Sequence, residues 1–331
     1  MNQLTRRHTL ALAAALGSTA LLPGLASAQA GYPNRPVSII VPFAAGGPTD
    51  VVTRLVAELM SRDLGQPVVV ENVGGAGGTL GAQRVAQARP DGYTLLLHHI
   101  GMGTTPTLYR RLAYDPVNGF ETIGLVTEVP MTIIAKKDFP AANLAEMVRV
   151  IREQKQSINL ANAGVGAASH LCGLLLQSAV QTQVTTVPYR GTGPAMTDLI
   201  GGTVDLMCDQ TTNTTQQIRS GAVRAYAVTT NERNAALPDL PTAAEAGLPG
   251  FEVSVWHGLY APKGTDAAIL NRLSRSLQGA LRDERLVARF AELGTAPVSQ
   301  ERATPEAHRA YWQADIAKWR PIIQAAGQYA D

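Results

Sequence analysis

Four loops of this 331-residue chain fall at the strand ends where an α/β sheet binds ligands, and the first two have a glycine-rich pattern suited to holding an anion. The first is Pro42-Phe43-Ala44-Ala45-Gly46-Gly47-Pro48-Thr49-Asp50. Its glycines let backbone amides turn inward, and the helix pattern that follows offers free N–H groups at its positive end. Phe43, Ala45, Gly46, Gly47, Thr49 and Asp50 are therefore candidate ligand contacts, with Thr49 or Asp50 expected as the helix cap. The second loop, Asn162 to His170, again links a strand pattern to a helix pattern and offers Ala163, Gly166 and Ser169. The third, Pro188-Tyr189-Arg190-Gly191-Thr192-Gly193-Pro194, supplies Tyr189 as a pocket wall, Arg190 as a possible carboxylate partner and Gly191. The fourth, Cys208-Asp209-Gln210-Thr211-Thr212, places Asp209 and Gln210 at a strand end. There a carboxylate can recognise an amine or hydroxyl, or cap the next helix.

Catalytic arrangements are missing. The chain has no Gly-x-Ser-x-Gly turn and no His-Glu-x-x-His. His98-His99, His170, His257 and His308 lack metal-ligand spacing. Ser169 and His170 are adjacent and diverge on a helix, so they make no nucleophile–base pair. His98-His99 at a strand end are expected to be structural, and Trp256 to be core. Gly164-x-Gly166-x-x-Ser169 and Gly75-Ala76-Gly77 approach a dinucleotide fingerprint, but the strand after the latter ends in His98-His99 and offers no acid for a ribose. No cofactor, metal or catalytic residue is expected.

These loops need a scaffold of alternating strands and helices. Strand patterns occur at 37–41, 68–70, 93–97, 132–135, 158–161, 184–187, 204–207, 223–228 and 251–260. Helix patterns fall at 51–64, 82–88, 144–154, 169–180, 193–200, 213–220, 266–292 and 304–326, the last with Pro321 inside it. Near-continuous apolar strands predict parallel sheets covered on both faces. Apolar runs at 123–134 and 251–260 predict two crossovers between lobes. One lobe then comprises 31–130 and 252–331, the other 131–251, with a cleft between that closes by hinging.

The opening residues read as an export signal. Arg6 and Arg7 precede an apolar run from Ala11 to Leu22 and a small-residue site at Ala26-Ser27-Ala28, predicting cleavage near 28–30 by either general or twin-arginine export. The formal net charge is +2, and those two arginines belong to a segment with no acid, so the remainder is neutral. A neutral chain with 16% charged and 45% hydrophobic residues has no footprint for nucleic acid and is too apolar for disorder. Beyond the signal no apolar run is long enough to span a membrane. Cys172 and Cys208 could form one disulfide; two separate buried thiols are the expectation.

Several ordered stretches resemble one known family. Tyr32-Pro33-Asn34-Arg35-Pro36, Val41 to Asp50, Leu64-Gly65-Gln66-Pro67-Val68-Val69-Val70-Glu71-Asn72 and Pro90-Asp91-Gly92-Tyr93-Thr94-Leu95 are similar to the Bug receptors, the extracytoplasmic solute receptors of tripartite tricarboxylate transporters. Tyr114-Asp115-Pro116, Val187 to Gly191, Asp198-Leu199-Ile200-Gly201-Gly202 and Leu240 to Gly247 continue the likeness. The resemblance implies an α/β, two-lobe periplasmic binding protein of type II, the "Venus flytrap". It implies a carboxylate held by backbone amides and ordered waters at the Pro-Phe-x-x-Gly-Gly loop. It also implies an exported monomer that binds a small organic acid and serves the membrane permease subunits of a transporter. A ligand-presenting co-receptor for a sensor kinase is the alternative. One departure is visible: the loop 162–170, where such receptors are rich in hydroxyls, offers only Ser169.

Overall fold

A computed structural model describes residues 31–327, 329 and 330. The export signal expected in the first thirty residues lies outside the described residues. β1 (Val37–Val41) is almost wholly buried and pairs in parallel with β2 (Val68–Asn72) and with β3 (Thr94–His99). Burial on both faces explains its mostly apolar sequence, with Ser38 at the one half-buried position.

α1 (Pro48–Leu64) follows β1. Pro48 opens it without needing an N–H partner, and Gly65, at φ 68°, closes it with a left-handed turn. The cap differs from expectation. Gly47 is the N-cap, and Asp50, inside the first turn, reaches back so that its Oδ2 accepts the Gly46 N–H at 3.0 Å. The proline displaces the helix start one residue upstream of Thr49. α2 (Thr79–Ala86) covers the sheet after the glycine loop.

Beyond β3 lies α3 (Gly101–Leu108), a helix absent from the sequence reading because Gly101, Gly103 and Pro106 all argue against one. Pro106 cannot donate to the Met102 carbonyl, and Trp312 Nε1–H takes that place at 2.9 Å. A distant tryptophan thus completes a local hydrogen-bond deficit.

β4 (Phe120–Lys136) is seventeen residues long and serves two neighbourhoods. From Phe120 to Pro130 it pairs antiparallel with the late strand β9 (Ser254–Pro262). From Met131 onward it pairs antiparallel with β7 (Leu206–Gln210) and β8 (Val223–Val228). The switch occurs at Pro130, which has no N–H to give to a ladder. α4 (Leu144–Gln154), β5 (Asn159–Asn162), α5 (Ala168–Val180), β6 (Thr185–Pro188), α6 (Thr192–Ile200) and α7 (Thr211–Arg219) build the second half. β5 pairs in parallel with β6 and β7.

The strands follow the order β2-β1-β3-β9-β4-β7-β5-β6, with β8 also on β4. The α/β class is as expected. The outer strands are parallel, whereas the segments expected to be crossovers, β4 and β9, pair with each other and run antiparallel. α8 (Ala267–Arg282) packs on α1, and α10 (Pro305–Ala326) packs on α3. α9 (Glu284–Glu292) is separate from α8, because Asp283 turns extended and its carboxylate accepts the Arg285 N–H.

The two halves have different cores. Trp256, Trp312, Tyr260 and Phe120 are fully buried together in the first, where Trp256 is core and gives its Nε1–H to Asp315 at 3.0 Å. The second packs smaller residues, including Ile134, Ala161, Met196, Leu199 and Met207. It also holds the one correction in cysteine chemistry: Cys172 and Cys208 are bonded, Cα atoms 6.0 Å apart. The packing of α5 on β7 brings together two thiols 36 residues apart, a proximity no local pattern carries.

Candidate functional site

The C-terminal ends of β1, β3, β5 and β7 converge, as open α/β sheets require of a ligand site. Between them lies a small cavity of about 20 Å³, room for about one water molecule. Phe43, Gly47, Pro48, Thr49 and His99 form its first wall. Ala163, Ala168, Ser169, Thr192, Asp209 and Gln210 form the second.

The first wall is the α1 N-terminus backed by histidines. Phe43 stacks on His99 with ring centres 4.6 Å apart and meets His98 edge-on. His98 Nδ1 accepts the His99 N–H, and His99 Nδ1 accepts the Gly101 N–H at 3.0 Å. In each neutral ring the proton therefore sits on Nε2, so His99 is a donor at the cavity wall. His257 Nε2 lies 3.2 Å from Thr49 Oγ1 and fixes that hydroxyl from behind. Burial holds all three rings uncharged. It lowers His99 to about 3, and it lowers His98 and His257 well below the usual range, with help from the neighbouring histidines.

Asp50 stands behind this wall. Burial pushes its carboxyl up, but hydrogen bonds from Arg54 Nε at 2.9 Å, Gly46 N and Asn72 Nδ2 at 2.9 Å outweigh that and leave it below the usual value. Both oxygens are engaged. The residue organises the loop and does not face the cavity.

The second wall is built from two strand-to-helix turns and the start of α6. Ser169 Oγ accepts the Ala163 N–H at 2.9 Å, and Asn162 Oδ1 accepts the Gly164 N–H. Gly164 and Gly166 take φ of 100° and 83°, backbone that side chains with a Cβ rarely adopt. Asp209 is 1% exposed, and its Oδ2 accepts from Asn213 Nδ2 at 2.5 Å. Its Oδ1 and the Oε1 of Gln210 have no hydrogen-bond partner among the described residues. Burial pushes the Asp209 carboxyl up to about 7, against smaller opposing effects from Asn213, the Gln210 backbone and the Thr192 hydroxyl. The disulfide flanks this wall on both sides: Cys208 adjoins Asp209, and Cys172 lies one turn beyond Ser169.

The walls meet along a seam of glycines. Ala44 N–H donates to the Arg190 carbonyl at 2.9 Å, and Tyr109 OH sits between the carbonyls of Ala76 and Val165 at 2.8 and 2.9 Å. A Cβ on Gly193 would lie 2.7 Å from the Ala45 carbonyl, and one on Gly74 2.8 Å from that of Arg190. One on Gly77 would collide with the Val165 carbonyl. Backbones this close leave no room for side chains.

Phe43, Gly47, Thr49, Ala163, Ser169, Asp209 and Gln210, all singled out from sequence, line the cavity. The others do not. Ala45 and Gly46 sit on an exposed shoulder, and Asp50 lies behind the wall. Gly166 and Gly191 belong to the seam. Tyr189 and Arg190 line an outer groove, where Tyr189 OH donates to Asp198 Oδ2 and the Arg190 side chain is exposed. His99, Thr192, Pro48 and Ala168 were missed. The His98-His99 pair at a strand end was the available signal for His99, and the Gly191–Gly193 turn was the signal for Thr192. Among the described residues no cluster of His, Cys, Asp or Glu could hold a metal ion, and no helix is long and apolar enough to cross a membrane.

Comparison with known proteins adds a family to this geometry. Residues 52–328 match the tripartite tricarboxylate transporter family receptor. An Agrobacterium vitis protein, named as the UPF0065 protein in the TAR-I ttuE-ttuC' intergenic region, is 53% identical over 95% of this chain and 91% of its own. The structure of the periplasmic binding protein BugD superposes with a TM-score of 0.88 at 52% identity, covering 91% of this chain and all of that one. MatC of Rhodopseudomonas palustris, solved with bound malate, gives a TM-score of 0.85 at 42% identity over 88% of this chain and all of its own.

Proposed function

Because this chain belongs to the tripartite tricarboxylate transporter receptors, we propose that it captures a small mono- or dicarboxylate between its two walls and delivers it to the family's membrane permease subunits. The ligand carboxylate lies against the α1 N-terminus, where backbone amides, the Thr49 hydroxyl and the His99 Nε2–H supply donors without a formal positive charge. Residues 31–130 with 252–331 form one lobe and 131–251 the other, with β4 and β9 as the hinge strands. The chain is exported, cleaved near 28–30, and works as a periplasmic monomer without cofactor or turnover.

One observation carries the reading. Strand-to-helix turns from both halves of the sheet face one cavity, and among the described residues no cluster of His, Cys, Asp or Glu could hold a metal ion. A cavity of about 20 Å³ is far smaller than a dicarboxylate, so the walls part to admit it and close again. Contacts on both sides then favour the closed form over the open one.

A thermal-shift screen of organic acids tests this. Stabilisation should grow with ligand concentration, reaching about 2.7 kcal/mol at a hundredfold excess over Kd. Scattering at saturation should show a smaller radius of gyration than in the absence of ligand. Stabilisation by sugars or cations alone removes the carboxylate reading, and turnover of a bound acid removes the receptor.

A further inference from the structure

We propose that Asp209 is the residue that reads a hydrogen-bond donor on the ligand, an ammonium or a hydroxyl carried beside the carboxylate. The inference rests on the carboxylate-receptor reading and deepens it by naming the ligand's second functional group.

Asp209 ends β7 at the cavity wall and is 1% exposed. Asn213, one turn into α7, holds Oδ2 and so fixes the carboxyl's orientation. Oδ1 is buried with no hydrogen-bond partner on a residue that lines the cavity, and no lysine or arginine pairs with the group among the described residues. Buried carboxylate oxygens are ordinarily paired, and an orphan at a cavity wall is a place where a ligand completes the set.

A carboxylate oxygen only accepts, so the group that completes it must donate. A second ligand carboxylate there would set two acceptors face to face. Neighbouring residues do not change that polarity. Gln210 can turn either end of its amide to the ligand, and the Thr192 hydroxyl, beside Asp209, acts toward that carboxyl as a donor. The opposite wall has the reverse character, with the α1 amides and the His99 Nε2–H all donors. The cavity is therefore polarised: carboxylate toward Thr49 and His99, donor toward Asp209. Burial has already raised Asp209 to about 7, and a bound ammonium would supply the missing counter-charge, whereas a hydroxyl would supply only the hydrogen bond.

Calorimetric titration of the mature chain with matched acids tests this, using succinate, malate and aspartate, then glutarate, 2-hydroxyglutarate and glutamate, then propionate, lactate and alanine. Within whichever length binds, the amino or hydroxy acid should bind about tenfold to a hundredfold tighter than its unsubstituted parent. Which of the two leads tells the charge of the donor. Asp209→Asn keeps the shape but can turn an N–H toward the ligand, so it should weaken the amino and hydroxy acids about tenfold to a hundredfold more than their parent and so erase that margin. Equal affinity for parent and substituted acids, or an equal loss for all of them in Asp209→Asn, overturns the inference and leaves the receptor reading standing. Failure of every acid to bind removes both. If Asp209→Asn does not fold, the wild-type series still decides.

Discussion

Two aspartates lie at strand-to-helix turns on opposite sides of one cavity, and their surroundings have driven them apart. Asp50 has both oxygens engaged, by a guanidinium, an amide side chain and a backbone N–H, and sits below its usual pKa. Asp209 has one oxygen engaged and one orphaned, has no paired cation among the described residues, and is pushed up to about 7. Both are buried, Asp209 the more deeply, and their roles are opposite. The satisfied carboxylate is part of the frame, and the unsatisfied one is a claim on something that arrives. The same contrast runs through the walls. The first is fixed by hydrogen bonds of Thr49 with His257, His99 with the Gly101 N–H and Asp50 with the Gly46 N–H, and the second by the Cys172–Cys208 bond, with Asp209 Oδ1 and Gln210 Oε1 left open.

The largest expected effect is on the pH dependence of stability, where the walls should have opposite slopes. His98, His99 and His257 are buried neutral in the first half, as is His308 on α10, lowered to about 3. The unfolded chain protonates these rings below about 6.5 and the folded one does not. Their stability is therefore present above that pH and lost as pH falls below about 6.5, for His99 and His308 on the way down to about 3. Asp209 works the other way. Its folded pKa, about 7, exceeds the ordinary 3.8, so the native state holds the extra proton and stability falls as pH rises between those values, then levels. Each pK unit of displacement is worth about 1.36 kcal/mol. Urea unfolding from pH 4 to 8 should show a steep acid loss in wild type. Asp209→Asn should gain stability over wild type up to about pH 7 and keep that gain beyond. A constant difference across the range would mean Asp209 is not perturbed.

Truncating the satisfied partner should be costly in its own way. Asp50→Ala releases the Gly46 N–H, Arg54 and Asn72 together and should lower stability by about 2–4 kcal/mol at pH 7. Denaturant midpoints compare it directly with Asp209→Asn. If Asp50→Ala is neutral while Asp209→Asn unfolds the chain, the assignment of frame and reader is reversed.

Removing the covalent brace sharpens the same contrast. Cys172→Ser with Cys208→Ser opens a 36-residue loop and should cost about 2–4 kcal/mol. Because Cys208 adjoins Asp209, affinity for a donor-bearing acid should fall with stability, whereas a mere structural brace would leave affinity intact in the folded fraction. Calorimetry on the folded variant separates the two.

Much of this was legible in the sequence, for reasons that can be named. Short apolar runs bounded by glycine and proline marked the parallel strands, most plainly β1 and β5, which are mostly buried. Glycine-rich strand-to-helix turns marked both walls, because amides pointing into a cleft need that backbone. Long-range closure was not legible. α3 forms around Pro106 only because Trp312, more than two hundred residues later, satisfies the freed Met102 carbonyl. The cysteine pair, the break at Asp283 and the placement of His99 likewise depend on what packs against them. Asp209 could be placed at a strand end, but the orphaned oxygen that gives it meaning exists only once β7, α7 and the cavity are assembled.

The smallest effect expected is at Arg190. A lone arginine in a Gly-rich loop reads equally as a carboxylate partner or a solvated charge, and its side chain is exposed in an outer groove. What the residue contributes to the meeting of the walls is its carbonyl, which accepts the Ala44 N–H at 2.9 Å, and any residue has one. Arg190→Ala should change stability by less than about 0.5 kcal/mol and leave affinity for mono- and dicarboxylates alike unchanged. Gly193→Ala, three residues on, sets the contrast. Its new Cβ would fall 2.7 Å from the Ala45 carbonyl, so the walls could not reach their present approach and affinity should drop without loss of fold. Parallel titrations of the two variants decide whether this loop acts through backbone proximity or through charge. A loss at Arg190→Ala confined to dicarboxylates, with Gly193→Ala unaffected, would move the second carboxylate's site into the outer groove and away from Asp209.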